Sequence, residues 1–246
     1  MIDAGASADV TGWDFTWLEG RAAGERPPWG SVRTLAARLA TASAPFNIQT
    51  GGGEVPAEAS TFPAVAVATE SWPPNVRKAT RLLHPRGVAV VADPDEPPLP
   101  FADNALDLVS SRHPATVWWS EIHRVLAPGG RYLAQHVGPA SAFELIEYFL
   151  GPQPQARRSR HPDDEVAAAE AAGLEIVDLR TAQLQITIHD VAAVVYLLRK
   201  VIWWVPDFTV DRYLDRLRDL HDRIRIEGPF VAHSTRHLVE ARRPEE

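Results

Sequence analysis

From residue 45 onward, short apolar runs alternate with segments of helical period, and that alternation sets the first expectation for the fold. Pro45–Gln49 reads as a short strand. Val65-Ala66-Val67-Ala68 reads as a second, ending at Thr69-Glu70. Val88-Ala89-Val90-Val91-Ala92 is an unbroken apolar run, the pattern of a parallel strand covered on both faces, and Asp93 ends it. Asp107-Leu108-Val109-Ser110 and Arg131–Val137 read as strands four and five. Three helical patterns accompany them. Ser31 caps the first, which carries Leu35 and Leu39 on one face; the second covers Asn75–Leu83; the third covers Thr116–Leu126 and stops at Pro128-Gly129-Gly130.

The pattern continues with a helix over Ser141–Leu150, a polar, basic linker over Gly151–Arg160, and a helix opened by Pro162. The acids Asp163, Asp164 and Glu165 in its first turn are read as complementing the helix dipole. Leu174–Leu179 reads as a sixth strand and Phe230–Ala241 as a last, antiparallel one. Two helices fall outside the alternation, one capped by Asp190 and one by Thr209, with Trp203-Trp204-Val205-Pro206 between them. The expected architecture is therefore α/β: a doubly wound, mostly parallel seven-stranded sheet with an added helical lid. The core is placed at 31–183 and 229–246 and the lid at 184–228. Residues 1–30 are an arm whose Pro27-Pro28 cannot lie inside a helix and whose Trp13, Phe15 and Trp17 dock it.

Composition narrows the possibilities. The 246 residues are 45% apolar and 23% charged, ordinary for a globular chain. A formal net charge of −7 argues against a protein held mainly by phosphate contacts, so nucleic acid is a weak candidate partner. The absence of cysteine excludes disulfides, thiolate zinc sites and cysteine nucleophiles. No apolar run approaches the ~20 residues of a membrane span, and Asp3, Asp9 and Asp14 interrupt any signal core, so a cytoplasmic protein is expected.

Candidate chemistry gathers behind the strand ends. Gln49-Thr50-Gly51-Gly52-Gly53 follows the first strand, where open α/β sheets bind nucleotides, though three glycines also make an ordinary surface turn. Ser111-Arg112-His113-Pro114 follows strand four. His113 suits a general base and His136, at the end of strand five, is a second candidate; Arg112 suits an anionic group or one of the many acids. His233 and His237 share a face of the last strand, but no acid stands at metal spacing near them, so no metal site is expected.

The order of these motifs resembles the class I S-adenosylmethionine-dependent methyltransferases, in particular the methyltransferase type 11 group, from about Pro45 to Ala241. The most specific pieces are Leu99-Pro100-Phe101-Ala102-Asp103-Asn104-Ala105-Leu106-Asp107-Leu108-Val109 and Glu121-Ile122-His123-Arg124-Val125-Leu126-Ala127-Pro128-Gly129-Gly130. The resemblance implies S-adenosylmethionine as cofactor. It puts Asn47, Thr50, Gly51 and Gly53 at its methionyl end, Glu70 on its ribose, and Trp72, Asp93 and Ser111 around its base and edge. Two positions depart from the family pattern: Asn47 stands where an acid is usual and Gln49 where the first glycine is usual.

Three functions follow. The first is methyl transfer to a small, apolar or aromatic metabolite, favoured by Tyr196, Leu197, Trp203 and Phe208 in the expected lid. The second is a non-methylating enzyme or binding protein on the same fold, motivated by Asn47 and Gln49. The third is an RNA methyltransferase, weakened by the charge. If the cofactor site is merely attenuated, Asn47→Asp and Gln49→Gly should sharpen it. The tryptophans of the arm leave a homodimer open.

Overall fold

The computed structural model describes residues 1–10 and 13–245. In chain order its elements are α1 (Ile2–Ser7), β1 (Ala22–Gly24), α2 (Ser31–Leu39), β2 (Pro45–Ile48), α3 (Glu54–Ala57), β3 (Ala66–Glu70), α4 (Pro73–Leu83), β4 (Val88–Ala92) and β5 (Leu106–Arg112). They continue with α5 (Trp119–Val125), β6 (Leu126–Val137), α6 (Phe143–Leu150), α7 (Pro162–Ala171), β7 (Glu175–Ile188), α8 (Val191–Lys200), α9 (Leu214–Glu227) and β8 (Phe230–Arg242). The sheet has eight strands in the order β1-β7-β8-β6-β5-β2-β3-β4. By compactness the chain divides into two units. One comprises Met1–Arg26, Pro139–Ser159 and Gln183–Thr235; the other comprises Pro27–Gly138, Arg160–Ala182 and Arg236–Glu246.

The second unit carries the parallel strands. β2 pairs in parallel with β3 and β5, β3 with β4, and β5 with β6, while β8 runs antiparallel to β6 with His136 opposite His237. Every residue of β2 is buried, as its central place requires. Side chains alternate across the sheet, so the two faces have separate cores. Leu133 and Leu238 pack with Leu35 and Leu39 of α2. Tyr132, Ala134, Val239 and Ala241 lie on the other face with Trp119 and Ile122 of α5 and Ala169 of α7.

The first unit is built on α8, nearly all of it buried, with Leu145 and Phe149 of α6 and Leu217 and Leu220 of α9 in the same cluster. The Asp190 carboxylate accepts from the Ala193 amide at 2.8 Å and caps α8. Trp17 stacks on Tyr196 at 4.8 Å between ring centroids, and the Tyr196 hydroxyl donates to the Asp14 carbonyl at 2.9 Å.

Several elements differ from the sequence pattern. The first 30 residues hold a helix and a strand, β1, which pairs antiparallel with β7 and makes the eighth strand. Its Ala-Ala-Gly sequence has no alternation to read. β7 runs to Ile188, through the polar stretch Arg180–Gln183. Gly30, at φ 58°, is the residue that caps α2, and Ser31 is its first turn. Thr209 Oγ1 accepts from the Arg212 amide at 3.2 Å, so it closes a turn, and α9 begins only at Leu214. Among the described residues, no helix is long and apolar enough to cross a membrane.

Candidate functional site

Because β2 to β6 are parallel, their carboxyl ends share one edge, where a doubly wound sheet binds its ligands. Glu70 ends β3 there, buried, with one carboxylate oxygen accepting from the Gly51 amide at 2.7 Å and the other from the Trp72 amide at 3.0 Å. Such charge-assisted bonds draw the glycine turn onto β3. Gly53 is at φ 82°, and a Cβ there would meet the Leu83 side chain at 3.0 Å, so the turn needs glycine on both counts. Trp72 is 48% exposed at this edge. Asp93 follows β4 and accepts from the Asp95 amide at 2.9 Å. Burial, offset in part by the Gln49 amide and reinforced by Asp93 and Glu70, pushes the Asp95 carboxyl up to about 6. Asp95 Oδ1 and the Thr50 hydroxyl are both buried without a hydrogen-bond partner.

The two departures from the family pattern are both structurally employed. Asn47 is buried, and its amide donates to the Ser110 carbonyl at 3.2 Å and to Ser110 Oγ at 2.9 Å, so it ties β2 to β5. The Ser111 hydroxyl repeats the tie one residue on, donating to the Ile48 carbonyl at 3.0 Å. Gln49 adopts the left-handed φ of 53°, as a glycine would. Its side chain then spans the edge: Oε1 accepts from the Ala115 amide at 2.6 Å and Nε2 donates to the Thr116 carbonyl at 2.8 Å. The turn after β2 and the loop after β5 are thereby bridged.

His113 and His136 do not come together. Gln135 and His136 are neighbours on β6 and point to opposite faces of the sheet. On the α2 face, Trp29 Nε1 donates to Gln135 Oε1 at 3.0 Å, and Gln135 Nε2 lies 2.9 Å from His113 Nε2. Indole nitrogen only donates, which fixes the Gln135 amide with its NH₂ toward the histidine. His113 Nε2 is therefore the acceptor, and its proton sits on Nδ1. Burial, with Arg236 and Arg112 nearby, holds this imidazole well below the usual histidine range. Burial, and again Arg112, lowers the Arg236 guanidinium to about 10. A depression of about 270 Å³ opens beside this group, walled by Leu35, Val55, Leu133 and Leu238 with Arg112 and Gln135 among its polar lining. A second, of about 190 Å³, lies under the loop after β5 between Ile48, Val117 and Trp118.

On the α5–α7 face, both nitrogens of the buried His136 are engaged. Nδ1 lies 2.5 Å from Glu165 Oε2, and Nε2 lies 2.9 Å from the Tyr132 hydroxyl. The same Glu165 oxygen lies 2.7 Å from Nε2 of His237, whose side chain is wholly buried. Burial favours the neutral acid, but the bonds from both histidines outweigh it and hold the Glu165 carboxyl down to about 2. The expectation that this acid only complements the helix dipole is thus corrected, as is the absence of an acid near His237. The two lie 72 residues apart in sequence, and only the packing of α7 on β8 joins them. His233 is separate, bonded through Nδ1 to Glu144 at 2.8 Å.

A parallel sheet with a glycine turn and carboxylates on its carboxyl edge is a doubly wound nucleotide-binding architecture. Residues 46–134 match the family model described as a methyltransferase domain. Among solved structures it is similar to a methyltransferase candidate from Bacillus halodurans, at 18% identity and a TM-score of 0.61, over 87% of this chain and 98% of that one. It is also similar to the YcgJ protein of Bacillus subtilis, at 17% identity and a TM-score of 0.59, over 88% and 99%. The cyclase SpnF aligns at 18% identity and a TM-score of 0.55, over 92% and 87%. At these identities the likeness is one of fold. No curated protein sequence matches the chain.

A methyltransferase domain implies S-adenosylmethionine in general, and the edge fits its nucleoside half. Glu70 and Asp93 supply acceptors, and Thr50 Oγ1 and Asp95 Oδ1 are buried polar atoms awaiting partners. Such orphaned groups cost free energy unless a ligand or water completes them. The Gln49 bridge lies across the same edge.

Proposed function

We propose that the protein transfers a methyl group from S-adenosylmethionine to a small apolar or aromatic acceptor. The observation that carries this reading is the Glu70 cluster: a buried carboxylate holding the glycine turn, with the unpartnered Thr50 hydroxyl and Asp95 Oδ1 beside it. Bound S-adenosylmethionine supplies an electrophilic methyl group on a sulfonium. Glu70 would accept from the ribose hydroxyls, and Asp93 and Asp95 would take donors of the base. Leu35, Val55, Leu133 and Leu238 would face the acceptor once the shallow α2-face depression opens, with Arg112 and Gln135 near its polar atom. His113 keeps its proton on Nδ1, so that release of Gln135 frees Nε2 to take a proton from the acceptor. The test is transfer of isotope-labelled methyl from S-adenosylmethionine to a panel of phenols and aryl amines. Turnover in the wild type, lost in Glu70→Gln, supports the reading; a wild type inert across the panel while it binds the cofactor counts against methyl transfer.

A second reading rests on the Gln49 bridge. A side chain that closes the turn against the loop after β5 suits a protein that uses this fold without methyl transfer. Failure of S-adenosylmethionine to bind even when Gln49 is replaced by glycine favours that reading.

A further inference from the structure

We propose that His136, Glu165 and His237 form a binding site for a divalent transition-metal ion of the zinc class, which pins α7 to the β6–β8 pair. Three potential ligand atoms, one from each residue, lie within 4.8 Å of one another. Two imidazoles and one carboxylate, all neutral or anionic donors of borderline softness, are a recurrent donor set for zinc and for non-haem iron. A carboxylate that binds through both oxygens completes four coordination with the two rings.

The backbone presets this arrangement. His136 and His237 are directly opposed in the antiparallel register, so their side chains leave the sheet on the same face and side by side. Glu165 is the fourth residue of α7, and its side chain reaches both rings with one oxygen, at 2.5 and 2.7 Å. Seating an ion at ~2.0–2.2 Å from each donor requires these separations to open to about 3.3 Å, which is a small side-chain adjustment. The Tyr132 hydroxyl at 2.9 Å from His136 Nε2 is the outer partner that fixes ring orientation in metal sites. Both rings are shut away from solvent, so the site is structural, and it stands independently of the methyl-transfer reading.

The test uses the full chain with any affinity tag removed, treated with a chelator and then titrated with Co²⁺. One equivalent binds, gives the visible absorption of a four-coordinate cobalt ion, is displaced by Zn²⁺, and raises the unfolding temperature. Glu165→Gln and His237→Gln each weaken binding by more than roughly a hundredfold, and Tyr132→Phe weakens it about ten- to hundredfold with the spectrum retained. Should the ligand variants fail to fold, X-ray absorption of the cobalt-loaded wild type decides, with two imidazole scatterers expected. The proposal is overturned if the wild type takes up no stoichiometric ion, if the ligand variants bind unchanged, or if the absorption fine structure contains no imidazole.

Discussion

Gln49 holds the carbonyl of Thr116 through its own amide at 2.8 Å, and with the neighbouring Ala115 contact this closes the turn after β2 against the loop after β5. Two neutral hydrogen bonds contribute about 1–3 kcal/mol. If the bridge must open before a methionyl group enters, Gln49→Gly tightens S-adenosylmethionine binding roughly ten- to hundredfold. Stability changes little, because glycine also removes the cost of a left-handed φ. Calorimetric titration and thermal unfolding of the variant measure both effects, and an affinity no better than wild type rules the bridge out as a gate.

Asn47 gives a different expectation. Its amide donates to the Ser110 carbonyl inside the sheet, a bond that a carboxylate cannot make. Asn47→Asp places like partial charges against each other in a buried position and destabilises the fold by about 1–3 kcal/mol at neutral pH. The family-like acid is therefore expected to cost stability at this position, whatever it does to cofactor binding. Denaturant unfolding of the variant checks this; unchanged stability would mean that β2 and β5 tolerate the exchange.

Asp95 makes stability depend on pH in a defined direction. Its folded pKa is raised to about 6 from 3.8, so the folded state holds the proton more tightly than the unfolded chain. Its ionisation destabilises the fold as pH rises from about 4 through 6. Two units correspond to about 2.7 kcal/mol at most, and half-exposure reduces this to about 1 kcal/mol. Asp95→Asn should raise the unfolding temperature at pH 8 and give no gain at pH 4. Equal gains at both values would contradict the assignment.

The Trp29–Gln135–His113 relay predicts a tautomer. With Nε2 accepting from Gln135, His113 is neutral and carries its proton on Nδ1. Burial and the nearby arginines depress its pKa, which favours the neutral ring at neutral pH. Imidazole ¹⁵N and ¹³C shifts read this directly, and an Nε2-protonated ring would undo the relay. Trp29→Phe releases the amide and should let both orientations of Gln135 appear.

Much of the fold is written in the apolar runs. β2 to β6 and α4 follow from strands buried on both faces and helices of clear period, and the Asp190 cap from a short acid before an apolar stripe. β1 is too short and too plain to carry a pattern, and the late start of α9 reflects a turn that Thr209 closes first. The edge residues were legible because a parallel sheet delivers its strand ends to one side. What no local signal carries is which face a side chain takes beside its neighbour. Gln135 and His136 part to opposite faces, so the first joins His113 and the second joins Glu165 and His237. His113 lies 22 residues from Gln135, Glu165 29 from His136 and His237 72 from Glu165, and tertiary packing alone assembles them.

The most direct test of the central claim is calorimetric titration of the wild-type protein with S-adenosylmethionine and S-adenosylhomocysteine. Micromolar binding of both ligands, lost when Glu70 is replaced by glutamine, is the predicted result. No heat of binding up to millimolar concentration, in the wild type and in Gln49→Gly alike, would contradict it.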